Sequence, residues 1–430
     1  MNKKYLLVGL GTSNKAVARD LIKENRKFDI YMDKGEVPDD IKEYAGVSLF
    51  SEANDVITNH YKAVIKSPGV PFSHPLLEKF DVGNIAVTNE IGYAQKYVRQ
   101  PFISITGTNG KTTTTSLVEY ILNISKDRAR SVGNIGYSFL EEAVKGENIL
   151  VTELSSFQLR ELDKLNPDVS VWLNISSAHL DYHKTFEDYI NAKKKIFVNQ
   201  SEENLLVFNE DDQNVKEAAK LKQGKKKSFS LVNKEADAYF DGKFIWISGE
   251  KWLRKSDVGI KGVHNIQNAM AAILTTLEFA SKEEIIKGIS QFKGVEHRLE
   301  VVLESEILKI YNDSKSTNIT AVKAALSAFD KPVVLMMGGL DRGNGYEDLT
   351  NEWSKVETLI CFGQSGPKIY DSAKNYTEVI IENDIEKAIL IAKGKVSKGG
   401  ILLFSPGCAS WDRFKNFEER GEFFKKIVQK

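Results

Sequence analysis

Phe102-Ile103-Ser104-Ile105-Thr106-Gly107-Thr108-Asn109-Gly110-Lys111-Thr112 reads as an apolar strand, a glycine turn and the opening of a helix whose body is Ser116–Leu122. That succession is phosphate-binding architecture. The glycines let backbone N–H groups approach an oxyanion, the helix start adds its positive end, Lys111 adds a point charge and the Thr112 hydroxyl suits Mg2+. The pattern is a shortened one, because Ile105 stands where the first glycine of GxxxxGK[ST] belongs and the first glycine present is Gly107. The candidate triphosphate contacts are therefore Gly107, Thr108, Asn109, Gly110, Lys111, Thr112 and Thr113.

Around that loop, 430 residues exceed one ordinary core and imply two or three domains. Lys+Arg and Asp+Glu both total 59, so no global field favours nucleic acid or an anionic membrane, and any anion must be met locally. Two cysteines, Cys361 and Cys408, are too few for a disulfide framework and point to a reducing cytosol. The apolar run after Met1-Asn2-Lys3-Lys4 is cut short by Gly11-Thr12-Ser13-Asn14-Lys15 and is expected to be a first strand. No apolar stretch reaches the length of about 20 residues that spans a bilayer.

Strand-like and helix-like segments alternate, which predicts parallel sheets wrapped by helices. Strands are expected at 5–8, 28–32 and 63–65, with a helix over 15–24, in a first unit closing near 94–100. A second block carries strands at 102–105, 149–152 and 169–173. The Lys-, Asp- and Gly-rich stretch 205–249 reads as an antiparallel excursion, and a helix over 265–277 returns the chain. A third block starts near 294–298, with strands at 332–336, 358–362, 378–381 and 401–404. The lysine clusters 193–195 and 225–227 read, by composition, as solvated faces.

Further polar groups sit where strands end. Gly9-Leu10-Gly11-Thr12-Ser13-Asn14 approaches a dinucleotide fingerprint with Asn14 in place of the third glycine, and Asp33 closes the second strand where a ribose hydroxyl would lie. Glu153 falls at the C-terminal end of 149–152, where ligands of open α/β sheets gather and a carboxylate could share Mg2+ with Thr112. Leu173-Asn174-Ile175-Ser176-Ser177-Ala178-His179 brings His179 to the same layer.

These residues, together with Tyr189, Ala192-Lys193, His264-Asn265, Asn268-Ala269 and His297-Arg298, resemble the Mur ligases, the cytoplasmic ATP-dependent amino-acid ligases of peptidoglycan synthesis. The order holds along essentially the whole chain. The C-terminal block is similar to that of members adding D-glutamate to UDP-N-acetylmuramoyl-L-alanine. The carriers there are Asn312-Asp313-Ser314-Lys315-Ser316-Thr317-Asn318, Gly338-Gly339-Leu340-Asp341-Arg342-Gly343, and Ser405-Pro406-Gly407-Cys408-Ala409-Ser410-Trp411-Asp412 with Phe414-Lys415-Asn416-Phe417.

The resemblance implies three α/β domains: a Rossmann-like UDP-sugar domain (1–95), a P-loop ATPase-like ATP domain (96–296) and a Rossmann-like amino-acid domain (297–430). It implies ATP as co-substrate, Mg2+ as two ions, and a CO2-derived carbamate on Lys193, with no nucleic-acid or membrane partner and a monomeric chain. Thr112, Glu153, His179 and Lys193 are the implied metal ligands; Lys111, Glu153, His179 and Lys193 are the implied catalytic groups. Asn268, Arg298 and Asp313 are expected on ATP, and Gly11, Thr12, Ser13, Asp33 and Asn134 on the UDP-sugar. Lys315, Thr317, Arg342, Ser410, Trp411 and Phe417 are expected around D-glutamate. Two positions depart from the pattern: many relatives carry Asp before the metal-site His where this chain has Ala178, and some present a Lys after the paired glycines where this chain has Arg342.

Overall fold

The computed structural model describes residues 3–430 except 34–35, 45, 69, 72–73, 83–84, 127, 179, 327, 330 and 342–344. The described strands form three sheets. In the first, five parallel strands lie in the order Val47–Phe50, Phe28–Tyr31, Lys4–Val8, Tyr61–Lys66, Ala86–Thr88. Its central strands are buried, as parallel strands covered on both faces must be.

The second sheet has nine strands in the order Glu250–Arg254, Phe244–Ile247, Ala238–Phe240, Lys226–Ser230, Leu205–Asn209, Val169–Trp172, Phe102–Thr106, Ile149–Glu153, Ala129–Gly133. Phe102–Thr106, buried throughout, lies between Val169–Trp172 and Ile149–Glu153, with Ile105 paired to Glu153 and Thr106 to Trp172. The antiparallel reading of 205–249 is corrected here. Leu205–Asn209, Lys226–Ser230 and Ala238–Phe240 extend the sheet in parallel, and only the pairings of the last two strands, Phe244–Ile247 and Glu250–Arg254, are antiparallel. The polar outer strands look like a hairpin in sequence because the edge of a parallel sheet is wetter than its middle. The helix after the glycine loop runs Lys111–Leu122, a turn earlier than its apolar body, because Thr112, Thr113, Thr114 and Thr115 are all buried against the sheet. A β-branched run of weak helix propensity is thus held by tertiary packing.

The third sheet has the order Glu300–Glu304, Leu308–Asn312, Gly400–Phe404, Val333–Gly338, Val356–Phe362, Glu378–Ile381, with its first pair antiparallel and the rest parallel. By contact, the chain divides into two compact units. One runs through Val258 and takes in Ile266–Ser290; the other comprises Gly259–Asn265 and Gln291–Lys430. The first two sheets share the first unit, joined by a cluster of buried side chains that includes Leu7, Val17, Ile91, Tyr93, Phe139 and Leu162. No helix among the described residues is long and apolar enough to cross a membrane.

Candidate active site

The glycine loop is shaped by two close approaches. Gly110 sits at φ +83°, and a Cβ there would come 2.5 Å from Asn268 Oδ1; a Cβ on Gly107 would lie 3.0 Å from Leu173 Cβ. Asn174, just past the neighbouring strand, clamps the loop. Its Oδ1 accepts from Asn109 N at 2.9 Å, its Nδ2 donates to Asn109 O at 3.1 Å, and its own carbonyl accepts from Thr108 N at 3.0 Å. Thr108 Oγ1 lies 3.0 Å from the Tyr189 hydroxyl. Lys111 Nζ curls back to donate to the carbonyls of Gly107 at 2.8 Å and Thr108 at 2.9 Å. An ammonium on carbonyls beside a helix N-terminus is in reach of any oxyanion that enters the loop.

Glu153 is 1% exposed at the end of its strand. Its Oε1 accepts from Asn134 Nδ2 at 2.7 Å, while Oε2 is buried with no hydrogen-bond partner among the described residues. A buried carboxylate oxygen left unmatched is costly, so this one is fitted to a ligand that the fold itself does not supply. Thr112 at the helix start is also buried, and both residues offer oxygen, the donor type that suits Mg2+. Asn134, expected on the UDP-sugar, holds Glu153 here and leaves the rest of its exposed side chain facing out.

Lys193 corrects the solvated reading of its cluster: it is 1% exposed, and its Nζ donates to Gly107 O at 2.9 Å and Thr106 Oγ1 at 3.2 Å. Burial carries its ammonium well below the ordinary lysine range, and Lys111 pushes the same way against the pull of Glu153. Lys195 is also partly withdrawn, donating to Arg160 O at 2.6 Å. His179 lies outside the described residues. Nearby, His183 is fully buried, with Nε2 2.9 Å from Ser156 Oγ and its ring stacked on Phe157 at 5.7 Å.

At the first sheet, Gly9 is at φ +73°, and a Cβ on Gly11 would meet Ser67 Oγ at 2.7 Å. Asn14, fully buried, donates through Nδ2 to the carbonyls of Val8, Gly9 and Ile65. It therefore seals the turn from within, where a third glycine would have let the helix pack closer. The helix begins at Thr12 with Ser13 half-buried behind it. Asp33 is exposed and accepts from the Tyr31 hydroxyl at 2.6 Å, with His74 Nε2 at 3.2 Å.

In the second unit, Asp313 is 1% exposed; its Oδ2 accepts from Ser405 Oγ at 2.7 Å and its Oδ1 from Leu299 N at 3.2 Å. Burial pushes its carboxyl up to about 6, with Arg298 and the Ser405 hydroxyl opposing. Burial, then Arg298, holds His264 down to about 4, so its imidazole is neutral at physiological pH. Lys315 Nζ stands 5.3 Å from the centroid of the Phe417 ring, Thr317 is half-buried, Ser410 is 2% exposed and Trp411 is 63% exposed. Arg342 lies outside the described residues. Ahead of it in the chain, Leu340 N donates to Ala409 O at 2.9 Å.

Known proteins can be set beside this geometry. The family profile described as Mur ligase middle domain matches residues 105–276, and the one described as Mur ligase, glutamate ligase domain, matches 297–408. A protein from Bacillus mycoides named UDP-N-acetylmuramoylalanine--D-glutamate ligase is 37% identical, with 100% of this chain and 98% of the relative covered. The chain belongs to the Mur ligase family. A Bacillus subtilis protein of the same name is 40% identical over 88% of this chain and 84% of its own length. The Mur ligase fold is also seen in MurF ligase from Thermotoga maritima, solved in complex with ADP, at 17% identity and a TM-score of 0.62 over 99% of this chain and 98% of that one.

Within this Mur ligase, two residues that hold the sites together escape sequence reading. Asn174 clamps the phosphate loop; the sequence shows it at a strand end and within the family motif, but not the clamp it makes. Arg420, 1% exposed on helix Phe417–Val428, donates from Nε to Ser314 Oγ at 3.1 Å, from Nη2 to Ser314 O at 2.8 Å and from Nη1 to Cys408 O at 2.9 Å. It pins the 312–318 segment to the 405–412 segment, yet in sequence it is one charge on an amphipathic helix.

Proposed function

We propose that this chain is an ATP-dependent ligase that joins D-glutamate to UDP-N-acetylmuramoyl-L-alanine in peptidoglycan precursor synthesis, serving cell-wall biogenesis and through it cell shape and division. The observation that carries the reading is full-length similarity to relatives of that name, in a chain whose Lys111, Glu153 and Lys193 meet at adjoining strand ends. Residues 1–95 take the UDP-sugar, 96–296 ATP and 297–430 the amino acid, in a monomer of the cytoplasm.

The alanyl carboxylate attacks the γ-phosphorus of ATP, giving an acyl phosphate and ADP; the D-glutamate amine then attacks the activated carbonyl, and phosphate leaves as the amide forms. Lys111 exchanges the Gly107 and Thr108 carbonyls for phosphate oxygens, and the loop N–H groups stabilise the charge on the transferring group. Mg2+, when bound, neutralises phosphate charge, and Thr112 and Glu153 would hold it, with His179 and Lys193 at a second position. Lys193 suits carboxylation because burial disfavours its charged form: the nitrogen lone pair of the neutral amine adds to CO2, a proton leaves, and the resulting carbamate offers oxygens to a hard cation. Asn268, Arg298 and Asp313 serve ATP. Lys315, Thr317, Arg342, Ser410, Trp411 and Phe417 serve D-glutamate, whose two carboxylates suit a cation and hydroxyl donors.

Phosphate release measured with UDP-N-acetylmuramoyl-L-alanine and a panel of amino acids tests this. Release with D-glutamate alone is the expected result. Release only with UDP-N-acetylmuramate plus L-alanine assigns the chain to a sister ligase instead.

A further inference from the structure

The first two sheets meet across a buried ion pair. Lys66 Nζ lies 2.7 Å from Glu161 Oε1, with side chains 0% and 1% exposed. Taking two charges out of water costs several kcal/mol per ion, and an apolar pair of similar volume generally holds an interface as well or better. Adhesion alone therefore does not account for this pair. Its remaining bonds show what else it does.

On one side, Lys66 Nζ donates to the carbonyls of Ser67 at 3.1 Å and Val70 at 2.6 Å. These two residues form the wall against which the N-terminal glycine turn rests: a Cβ on Gly9 would meet Val70 Cγ2 at 2.8 Å and Ser67 Cβ at 3.2 Å, and one on Gly11 would meet Ser67 Oγ at 2.7 Å. On the other side, Glu161 directly follows helix Ser156–Arg160, which starts two residues after Leu154 at the end of the strand carrying Glu153. Glu161 Oε2 accepts from Asn89 Nδ2 at 3.3 Å, and the same amide donates to Gln158 O at 2.9 Å. Gln158 in turn closes the capping box with Ser155. Burial pushes the Glu161 carboxyl up to about 7, and the Lys66 ammonium is the largest force opposing that rise. One ammonium thus joins the glycine turn of the first sheet to the strand end that holds Glu153.

We propose that Lys66 and Glu161 are positioning residues for the nucleotide-sugar substrate: their pair fixes the Ser67/Val70 wall relative to the Glu153 strand end and so sets where the substrate carboxylate lies relative to the phosphate loop. This rests on the reading that the first sheet holds the UDP-sugar. The geometry ties Lys66 and Glu161 to Ser67, Val70 and Asn89, and none of these bonds reaches the phosphate loop or its Asn174 clamp. Loss of the pair therefore separates the two substrates kinetically.

The test compares the parent with Glu161→Gln and with the charge-free double variant Lys66→Met/Glu161→Leu. The single variant strands a buried cation and tests the pair directly; the double variant restores neutrality and covers the case in which the single one does not fold. The expected result is that KM and Kd for UDP-N-acetylmuramoyl-L-alanine rise about 10- to 100-fold in both, while KM for ATP is unchanged. In the double variant this rise persists although its unfolding temperature returns to that of the parent. Recovery of parental KM along with stability in the double variant overturns the inference, as does an equal rise in KM for ATP. Direct titration of the UDP-sugar onto all three proteins separates this from the wider reading: an absence of phosphate release with D-glutamate in the parent defeats the proposed reaction, whereas the binding shift still decides the role of the pair.

Discussion

Two turns in the first unit share one plan, a parallel strand, a left-handed glycine and a helix, yet they are finished in opposite ways. At Gly9–Asn14 a neutral amide, fully buried, is spent on the carbonyls of Val8, Gly9 and Ile65. At Gly107–Lys111 a charged amine makes the equivalent bonds to Gly107 and Thr108 and is only part-buried. The first arrangement is permanent, because the amide has nowhere else to go and no charge with which to attract a ligand. The second is a holding position, since an ammonium gains more from a phosphate than from two carbonyls. Turn geometry alone therefore does not mark a triphosphate site; what decides is whether the group that closes the turn is free to leave it.

Lys111→Ala breaks that contrast most severely. Activity is expected to fall about 1,000-fold, or about 4 kcal/mol of transition-state stabilisation, with the unfolding temperature little changed, as read by phosphate release and calorimetry. The mirror experiment is Asn14→Leu, which strips the buried Nδ2 contacts to the carbonyls of Val8 and Ile65 and the part-buried one to Gly9, and should cost about 2–4 kcal/mol in urea unfolding while ATP affinity holds. A stable Asn14→Leu protein would defeat the sealed-turn account. Gly9→Ala and Gly110→Ala sharpen the comparison, because each forces a Cβ into left-handed backbone at about 1–2 kcal/mol. Only Gly110→Ala should also weaken binding of an ATP analogue, by about tenfold, since its Cβ would displace Asn268. Smallest is Asn174→Ala, expected to cost about 1 kcal/mol and to raise KM for ATP a few-fold by loosening Asn109.

How much of this the sequence discloses follows from which forces act locally. Strand-end chemistry is local: Lys111, Thr112 and Glu153 are legible because a polar residue that follows a buried strand has few places to be. The strands beside the glycine loop, Phe102–Thr106, Ile149–Glu153 and Val169–Trp172, are equally plain in their apolar runs. What is not legible depends on pairing across distance. The parallel run Leu205–Asn209, Lys226–Ser230, Ala238–Phe240 is hidden because its outer members are short and polar. By composition Lys193 reads as one lysine among three and only the family resemblance singles it out; the packing of helix Phe186–Lys194 is what buries it while Lys194 keeps contact with solvent. Asn14, Asn174 and Arg420 each serve backbone carbonyls or amides, and nothing in a sequence shows which backbone a side chain will reach.

Arg420 also bears on the order of synthesis. Ser314 and Cys408, which its guanidinium joins, leave the ribosome about a hundred and about a dozen residues before it does. Until helix Phe417–Val428 is made and docked, the 312–318 and 405–412 segments keep their own backbone and Ser405–Asp313 bonds but lack the guanidinium that ties Ser314 to Cys408. A growing chain can therefore complete its phosphate loop before the helix that cross-ties the 312–318 and 405–412 segments has been translated.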